Sequence, residues 1–366
     1  LGGFLEFTSE KGDFSAMGMT KSVFGKTSNG EVVHLVTVSN QKGMSIEVLD
    51  YGATLVSVNV PDKDGHTEDV ALGYDDVLDY EKGTAYLGAS IGRCGNRVDH
   101  AEFSINGKEY FMEKNEGENV CHSGPRCYSR RMWDMELLEE ENSVRFHLVS
   151  PNMDQGFPGT FEVTVTYTLT EENELKIHYN GTCDQDSLIN MTNHSYFNLN
   201  GHASGSALGH RVTVDADFYL EADAASIPTG RKLPVKGTPM DFTEEKTLGL
   251  DIGADFKPLT DCSGYDQCYI IRDSGLRHAA WATGPETGIR MEVLTTLPGM
   301  HLYTANYLAP QTACKDDARY EARDAVCFET EDFPDAPNHP DFPDTTLLPD
   351  APYSSTTIYR FDIAPM

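Results

Sequence analysis

Proton transfer near neutral pH needs a histidine or a shifted carboxylate, and two places in this 366-residue sequence offer one in suggestive company. The first is Asn190-Met191-Thr192-Asn193-His194-Ser195-Tyr196-Phe197-Asn198-Leu199-Asn200, which gathers asparagines, hydroxyls and one imidazole in a short segment. Such donors and acceptors match the hydroxyls of a sugar. The same composition also builds a turn closed by asparagine side chains, in which His194 is structural. The second is Glu329, directly after the apolar run Ala325-Val326-Cys327-Phe328. Partial desolvation there is expected to raise its proton affinity toward that of a working general base. With 58 acidic residues in the chain, plain surface placement is the alternative.

Further polar groups occur in three loops. Ile91-Gly92-Arg93-Cys94-Gly95-Asn96-Arg97-Val98 carries two guanidinium forks between glycines that permit tight bends. In so acidic a chain, charge pairing is the competing use for them. Asn119-Val120-Cys121-His122-Ser123-Gly124 offers a loop histidine, and Asp266 follows Gly264-Tyr265. Three glycosylation sequons start at Asn180, Asn190 and Asn193. Glycans on the last two would obstruct a cleft built around His194.

Composition narrows the partners. Lys and Arg number 28 against 58 Asp and Glu, a formal net charge of -30. That balance argues against nucleic acid and anionic membrane, which are held largely by cations facing phosphates, and leaves a small neutral ligand. Hydrophobic residues at 39% suffice for a large core. The eight cysteines are scattered without a Cys-x-x-Cys pair, so structural zinc is not expected. They read as reduced, small apolar residues, which favours a cytoplasmic location. Export is the alternative: the first residue is not Met, which leaves a removed leader open. No run of about 18 apolar residues suggests a membrane span.

The elements that must position these residues are mostly strands. Phe161-Glu162-Val163-Thr164-Val165-Thr166-Tyr167-Thr168-Leu169 alternates apolar and polar throughout, as a strand buried on one face must. Less regular alternation marks 45–49, 175–179, 210–220, 269–272, 288–297, 301–306 and 356–361, and Asn106-Gly107 suits a tight hairpin. Helical candidates are few and short, the best being 76–82 and 315–322. The Asp/Pro-rich stretch 333–352 contains Phe333, Phe342, Leu347 and Leu348, which suggests an ordered, partly buried loop rather than a linker. No repeat and no linker divides the chain, so one large all-β sandwich of 1–366 is expected, with 1–20 as a peripheral extension.

Taken together and in order, these segments resemble the aldose 1-epimerase (galactose mutarotase) family from about Tyr51 to Phe361. The residues carrying the resemblance are Tyr51-Gly52-Ala53-Thr54-Leu55, Gly92-Arg93 with Asn96-Arg97, and Asn119 with His122 and Gly124. They continue with 192–199, Gly264-Tyr265-Asp266, Pro298-Gly299 with Tyr303 and Asn306, and Glu329-Thr330 with Pro334-Asp335 and Asn338. The resemblance implies a β-supersandwich with few short helices and a mutarotase activity on free aldohexoses such as galactose or glucose. It makes His194 the general acid and Glu329 the general base, facing each other across a pyranose. Arg93, Asn96, Arg97, His122, Ser195, Tyr196, Asp266 and His301 would surround the sugar. A monosaccharide is then the expected partner, with no metal or other cofactor needed and the protein a monomer or weak homodimer.

Three positions depart from the family pattern. His301 stands where Gln is common, Gln267 where His is common after the aspartate, and Ser123 where a second Gly usually follows the histidine. They bear on which aldose is preferred more than on the reaction, and His301 would bring a pH-dependent charge. Arg126, Arg130 and Arg131 form a local basic cluster. It leaves a hexose-6-phosphate epimerase as one alternative, and a non-catalytic sugar-binding or regulatory module is another.

Overall fold

Alternation of apolar and polar residues, carried through strand after strand, builds nearly all of this molecule. The computed structural model describes residues 18–311 and 313–365; of the N-terminal extension expected at 1–20, residues 1–17 lie outside the described residues, and the rest open the first strand, Gly18–Lys26. That strand starts a five-stranded antiparallel meander with Val32–Ser39, Ser45–Leu49, Thr54–Pro61 and Thr67–Asp69. The perfectly alternating segment is the strand Phe161–Leu169, every odd position buried. It lies within a nine-stranded sheet that runs Asp134–Leu138, Ser143–Ser150, Phe161–Leu169, Glu174–Cys183, Tyr353–Ile363, Ile289–Thr295, Arg277–Thr283, Arg211–Val214 and Lys246–Thr247. The strand from the far end of the sequence thus sits at its centre, bonded on both sides.

A second five-stranded sheet completes the layers, in the order Pro228–Pro234, Phe218–Ala222, Asp266–Ile270, Gly299–Tyr303 and Cys327–Glu331. One continuous core joins all three sheets, with Val36 and Ile46 from the meander, Phe146 and Val165 from the large sheet, and Tyr269, Met300, Leu302 and Phe328 from the smaller one. This is the all-β supersandwich expected from the sequence, with α-helix only at Val77–Lys82 and Lys257–Cys262 among the described residues. Asn106 and Gly107 both take positive φ and join the hairpin strands Glu102–Ile105 and Lys108–Phe111. Phe333, Phe342 and Leu347 are buried, so the stretch 333–352 is an ordered loop, with Leu348 turned out. All eight cysteines are buried free thiols.

Two expected elements differ. The single strand at 210–220 is two strands in different sheets, because Asp215 and Asp217 form a corner gripped by the Arg272 guanidinium. The helix expected at 315–322 shrinks to a single turn at Lys315–Asp317, with positive φ at Asp316 and Asp317. Tertiary contacts override its helical propensity. The Lys315 ammonium is buried, donating to Val56 O at 2.6 Å and Ala71 O at 2.7 Å and pairing with Asp69 at 2.7 Å. It fastens the 304–325 region to the meander. Replacing it with methionine leaves Asp69 without its partner, and K315M is expected to lower stability by about 3 to 5 kcal/mol in urea unfolding; a loss below about 1 kcal/mol would mean the anchor is dispensable.

Candidate active site

Three adjacent strands of the smaller sheet make the floor of the site. Cys268 and Glu329 lie directly opposite His301 on either side. Successive side chains alternate between faces, so Asp266, Cys268, His301, Tyr303, Cys327, Glu329 and Glu331 share one face while Tyr269, Met300, Leu302 and Phe328 pack into the core on the other. Gly264, at φ 146°, sets the entry to the first strand: a Cβ there would come within 2.3 Å of Asn306 Oδ1, whose own amide donates to Tyr265 O.

The polar segment 190–200 forms the wall beside this floor. Thr192–Asn193 pairs with Ser90–Ile91, and Thr192 Oγ1 donates to Thr330 O at 2.8 Å. The His194 main chain is held by Ala89 O and Gly88 N. The asparagines act as backbone clamps: Asn190 binds both main-chain groups of Asp332, Asn193 donates to Gly88 O, and Asn198 donates to Gly205 O and Asp324 O. Asn190 and Asn193 are buried and could not carry glycans, whereas Asn180 is exposed.

The floor and wall enclose a solvent-open cavity of about 170 Å³. Of the ten residues singled out from the sequence, Asn96, Arg97, His122, His194, Tyr196, Asp266, His301 and Glu329 line it. The other two do not. Arg93 is fully buried and its guanidinium is spent on Ser150 O, Pro151 O, Pro158 O, Gly159 O and the hydroxyls of Ser150 and Ser187. The Ser195 hydroxyl bonds Asn193 Oδ1 instead of facing the cavity. A larger open depression, about 680 Å³, lies near Asp241, Lys246 and Asp251, but no imidazole or thiol lines it.

His194 and Glu329 are neighbours, not opposed across a gap. His194 Nε2 is 2.8 Å from Glu329 Oε1, both side chains almost wholly buried. That oxygen nevertheless has no aligned hydrogen bond within the protein among the described residues. Burial by itself would raise the Glu329 carboxyl as the sequence suggested, but the His194 charge and contact, with His301 and His122 beyond, overcome it and hold the group down at about 2. The His194 ring is stacked between Tyr196, at 5.0 Å and 18°, and Tyr86, at 5.9 Å and 22°. The Cys327 thiol sits 3.9 Å from its Nδ1. Donor atoms of His194, Cys327 and Glu329 fall within 4.8 Å of one another, a soft-metal set by type. The imidazole turns a different edge to each partner, Nε2 to Glu329 and Nδ1 to Cys327.

The remaining polar groups are locked. Asn96 N donates to His122 Nδ1 at 3.1 Å, which places the ring proton of a neutral His122 on Nε2. Burial, and then the nearby His194, push His122 down to about 3, so it stays a neutral donor. Arg97 is held by Glu116 through two hydrogen bonds, at 2.6 and 3.1 Å. Ser123 bonds Cys94 N and O, and Gln267 bonds Asp266 N and Pro258 O, so neither of these departures from the family pattern contacts the cavity. Arg130 and Arg131 are engaged with Glu81 O, Gly83 O and Asp154, and no member of the basic cluster lines the cavity. Sequence reasoning missed Tyr86, Glu116, Cys121, Tyr303, Tyr307 and Gln311 as lining residues, and Glu331 beneath them. Glu331, two positions after Glu329 in a strand, was within reach of the alternation rule; the loop residues carry no local signal.

The profile of the aldose 1-epimerase family matches residues 34–360. The chain is 36% identical to human galactose mutarotase, over 94% of its own length and 99% of that protein. It is 34% identical to aldose 1-epimerase of Escherichia coli K12, over 91% of its length and 96% of the relative's. Its fold superposes on the crystal structure of galactose 1-epimerase from Lactobacillus acidophilus NCFM with a TM-score of 0.84, at 26% identity, covering 96% of this chain and all of that one.

Because Arg93 holds backbone carbonyls away from the cavity, R93M is expected to cost about 3 to 5 kcal/mol in denaturant unfolding. The KM of its folded fraction should stay within about twofold of wild type. A rise in KM of tenfold or more without loss of stability would return Arg93 to the sugar.

Proposed function

The chain belongs to the aldose 1-epimerase family, and on that premise we propose that this cavity interconverts the α and β anomers of free aldohexoses such as galactose and glucose, with His194 as acid and Glu329 as base. The observation that carries the assignment is the contact of His194 Nε2 with Glu329 Oε1 at 2.8 Å on the cavity wall.

Ring opening removes one proton and adds one. The Glu329 carboxylate takes the proton of the anomeric hydroxyl, electrons of that O–H bond form the carbonyl, the bond from the anomeric carbon to the ring oxygen breaks, and the imidazolium of His194 protonates that oxygen. The aldehyde then rotates and closes on its other face, with each proton returned to its first holder. Both oxygens are carried by a single carbon, so an acid and a base in direct contact can address them together. The rest of the lining supports binding. The Asp266 carboxylate and the Asn96 carboxamide suit sugar hydroxyls, Arg97 and the Nε2–H of neutral His122 suit sugar oxygens, and Tyr196 and Tyr303 suit the apolar edge of the ring. The reading takes the protein as a monomer or weak homodimer, and eight free buried thiols support a cytoplasmic location.

Polarimetry of freshly dissolved α-galactose tests the assignment. H194N and E329Q should each slow the enzymatic rate by roughly 10² to 10⁴ while the fold persists. Mutarotation at the wild-type rate in either variant would refute it. The pH profile gives a second check. A carboxyl held at about 2 in the folded protein remains ionised as pH falls through the ordinary glutamate range, near about 4.3. Its contribution to stability is therefore complete above that range and is lost only as pH drops toward 2. Between about pH 7 and about pH 5, kcat/KM should fall less than roughly threefold, and an acid limb centred near 6 would contradict an ionised Glu329.

A further inference from the structure

His301 occupies the centre of the three-strand face, its side chain 6% exposed. Nε2 is 2.7 Å from Asp266 Oδ1 and Nδ1 is 3.2 Å from Glu331 Oε1. Burial raises the Glu331 carboxyl and the His301 contact works against that rise; with both carboxyls ionised, a neutral imidazole, which has a single ring proton, would leave one of them facing a nitrogen lone pair at hydrogen-bond distance. The doubly protonated ring donates to both. Asn96 fits that state: its amide is 3.1 Å from Nδ1 but has Glu331 oxygens to donate to at 3.2 and 3.3 Å.

The groups facing this ring are Asp266 and Cys268 from one neighbouring strand, Glu329 and Glu331 from the other, and Asn96 from the loop above, with Arg97, His122 and His194 further out. Burial disfavours a cation here, yet hydrogen bonds to Asp266, Cys268 and Glu331 override it and raise the imidazole well above its ordinary range.

We propose that His301 is a positioning residue, an imidazolium clamped between Asp266 and Glu331 that aims the Asp266 carboxylate at the sugar and neutralises a face bearing three carboxylates. Both ring nitrogens are occupied, so it acts through Asp266 and not on the substrate. This deepens the proposed function and rests on Asp266 as a sugar ligand. Two departures from the family pattern meet here. An imidazole common at 267 and an amide common at 301 are exchanged, and position 267 points to the opposite face from Asp266, where Gln267 bonds Pro258 O and Asp266 N. The exchange puts a charge on the cavity side of the sheet.

H301Q, which installs the amide common in the family, is the test. With galactose, KM should rise about tenfold while kcat stays within about threefold, and the acid limb of kcat/KM should move up by about one pH unit or more as the carboxylates lose their counter-ion. E329Q, assayed in parallel, separates the two claims. Abolished catalysis in E329Q, with KM and acid limb unchanged in H301Q, overturns the clamp and leaves the reaction standing; full activity in E329Q defeats the reaction instead. Nitrogen-15 NMR of the wild-type protein decides the charge whether or not H301Q folds. An imidazole near Cys268 with both ring nitrogens protonated at about pH 8 is expected. A neutral ring there, accepting a proton from Glu331, overturns the proposal.

Discussion

Three carboxylates on one face of three adjacent strands are the constraint around which this cavity is organised. Asp266, Glu329 and Glu331 fall together because strand alternation and register leave them no other side. Their mutual repulsion at such burial would protonate one of them unless cations intervene. The intervening groups are imidazoles. His301 lies between Asp266 and Glu331, and His194 lies against Glu329. A carboxylate that burial alone would neutralise is thereby kept ionised, the condition for it to accept a proton from a sugar hydroxyl.

The surroundings are arranged so that these few groups cannot drift. Asparagines at 190, 193 and 198 satisfy buried main-chain groups and fix the segment carrying His194, and Thr192 ties that segment to the strand carrying Glu329. Arg93 does similar work beneath the loop that carries Asn96 and Arg97, spending its fork on the carbonyls of Ser150, Pro158 and Gly159. Buried polar networks of this kind specify one geometry because leaving any member unpaired is costly. Even the C-terminal loop participates. Asp335 accepts from Asp99 N, Asn338 and His339, and its own N–H donates to Arg97 O.

Much of this was legible in the sequence, and the boundary between legible and illegible is physical. Regular alternation in 161–169 fixed a strand because burial on one face demands it, and Asn106-Gly107 fixed a turn because both residues tolerate positive φ. The helix expected at 315–322 failed where a single buried ammonium outweighed local propensity. In the cavity, residue type and family order picked out His194, Glu329 and six of eight surrounding groups as lining residues. Type alone could not tell a guanidinium facing sugar from one facing carbonyls, as Arg93 shows, nor a hydroxyl facing solvent space from one turned back on Asn193, as Ser195 shows. The proton affinity of Glu329 went the wrong way for a related reason: desolvation was readable from the apolar run before it, whereas the imidazole that reverses the effect comes from a segment 135 positions earlier in the chain.

Direct contact between acid and base, rather than opposition across the ring, also fits the demands of a reversible isomerisation. The reaction passes through an open aldehyde that must turn about one bond while the rest of the sugar stays in place, so the catalytic pair should serve a small moving centre and the other contacts should grip the remote hydroxyls. The cavity has that division. His194 and Glu329 sit together on one wall, and Asp266, Arg97 and His122, each held by its own neighbours, are distributed around them. The two anomers differ only at the anomeric carbon, so contacts to the remote hydroxyls favour neither direction. Rate enhancement must come from the contacts that change as protons move, which on the proposed reading are those of the His194–Glu329 contact, whose carboxylate oxygen has no aligned hydrogen bond within the protein among the described residues.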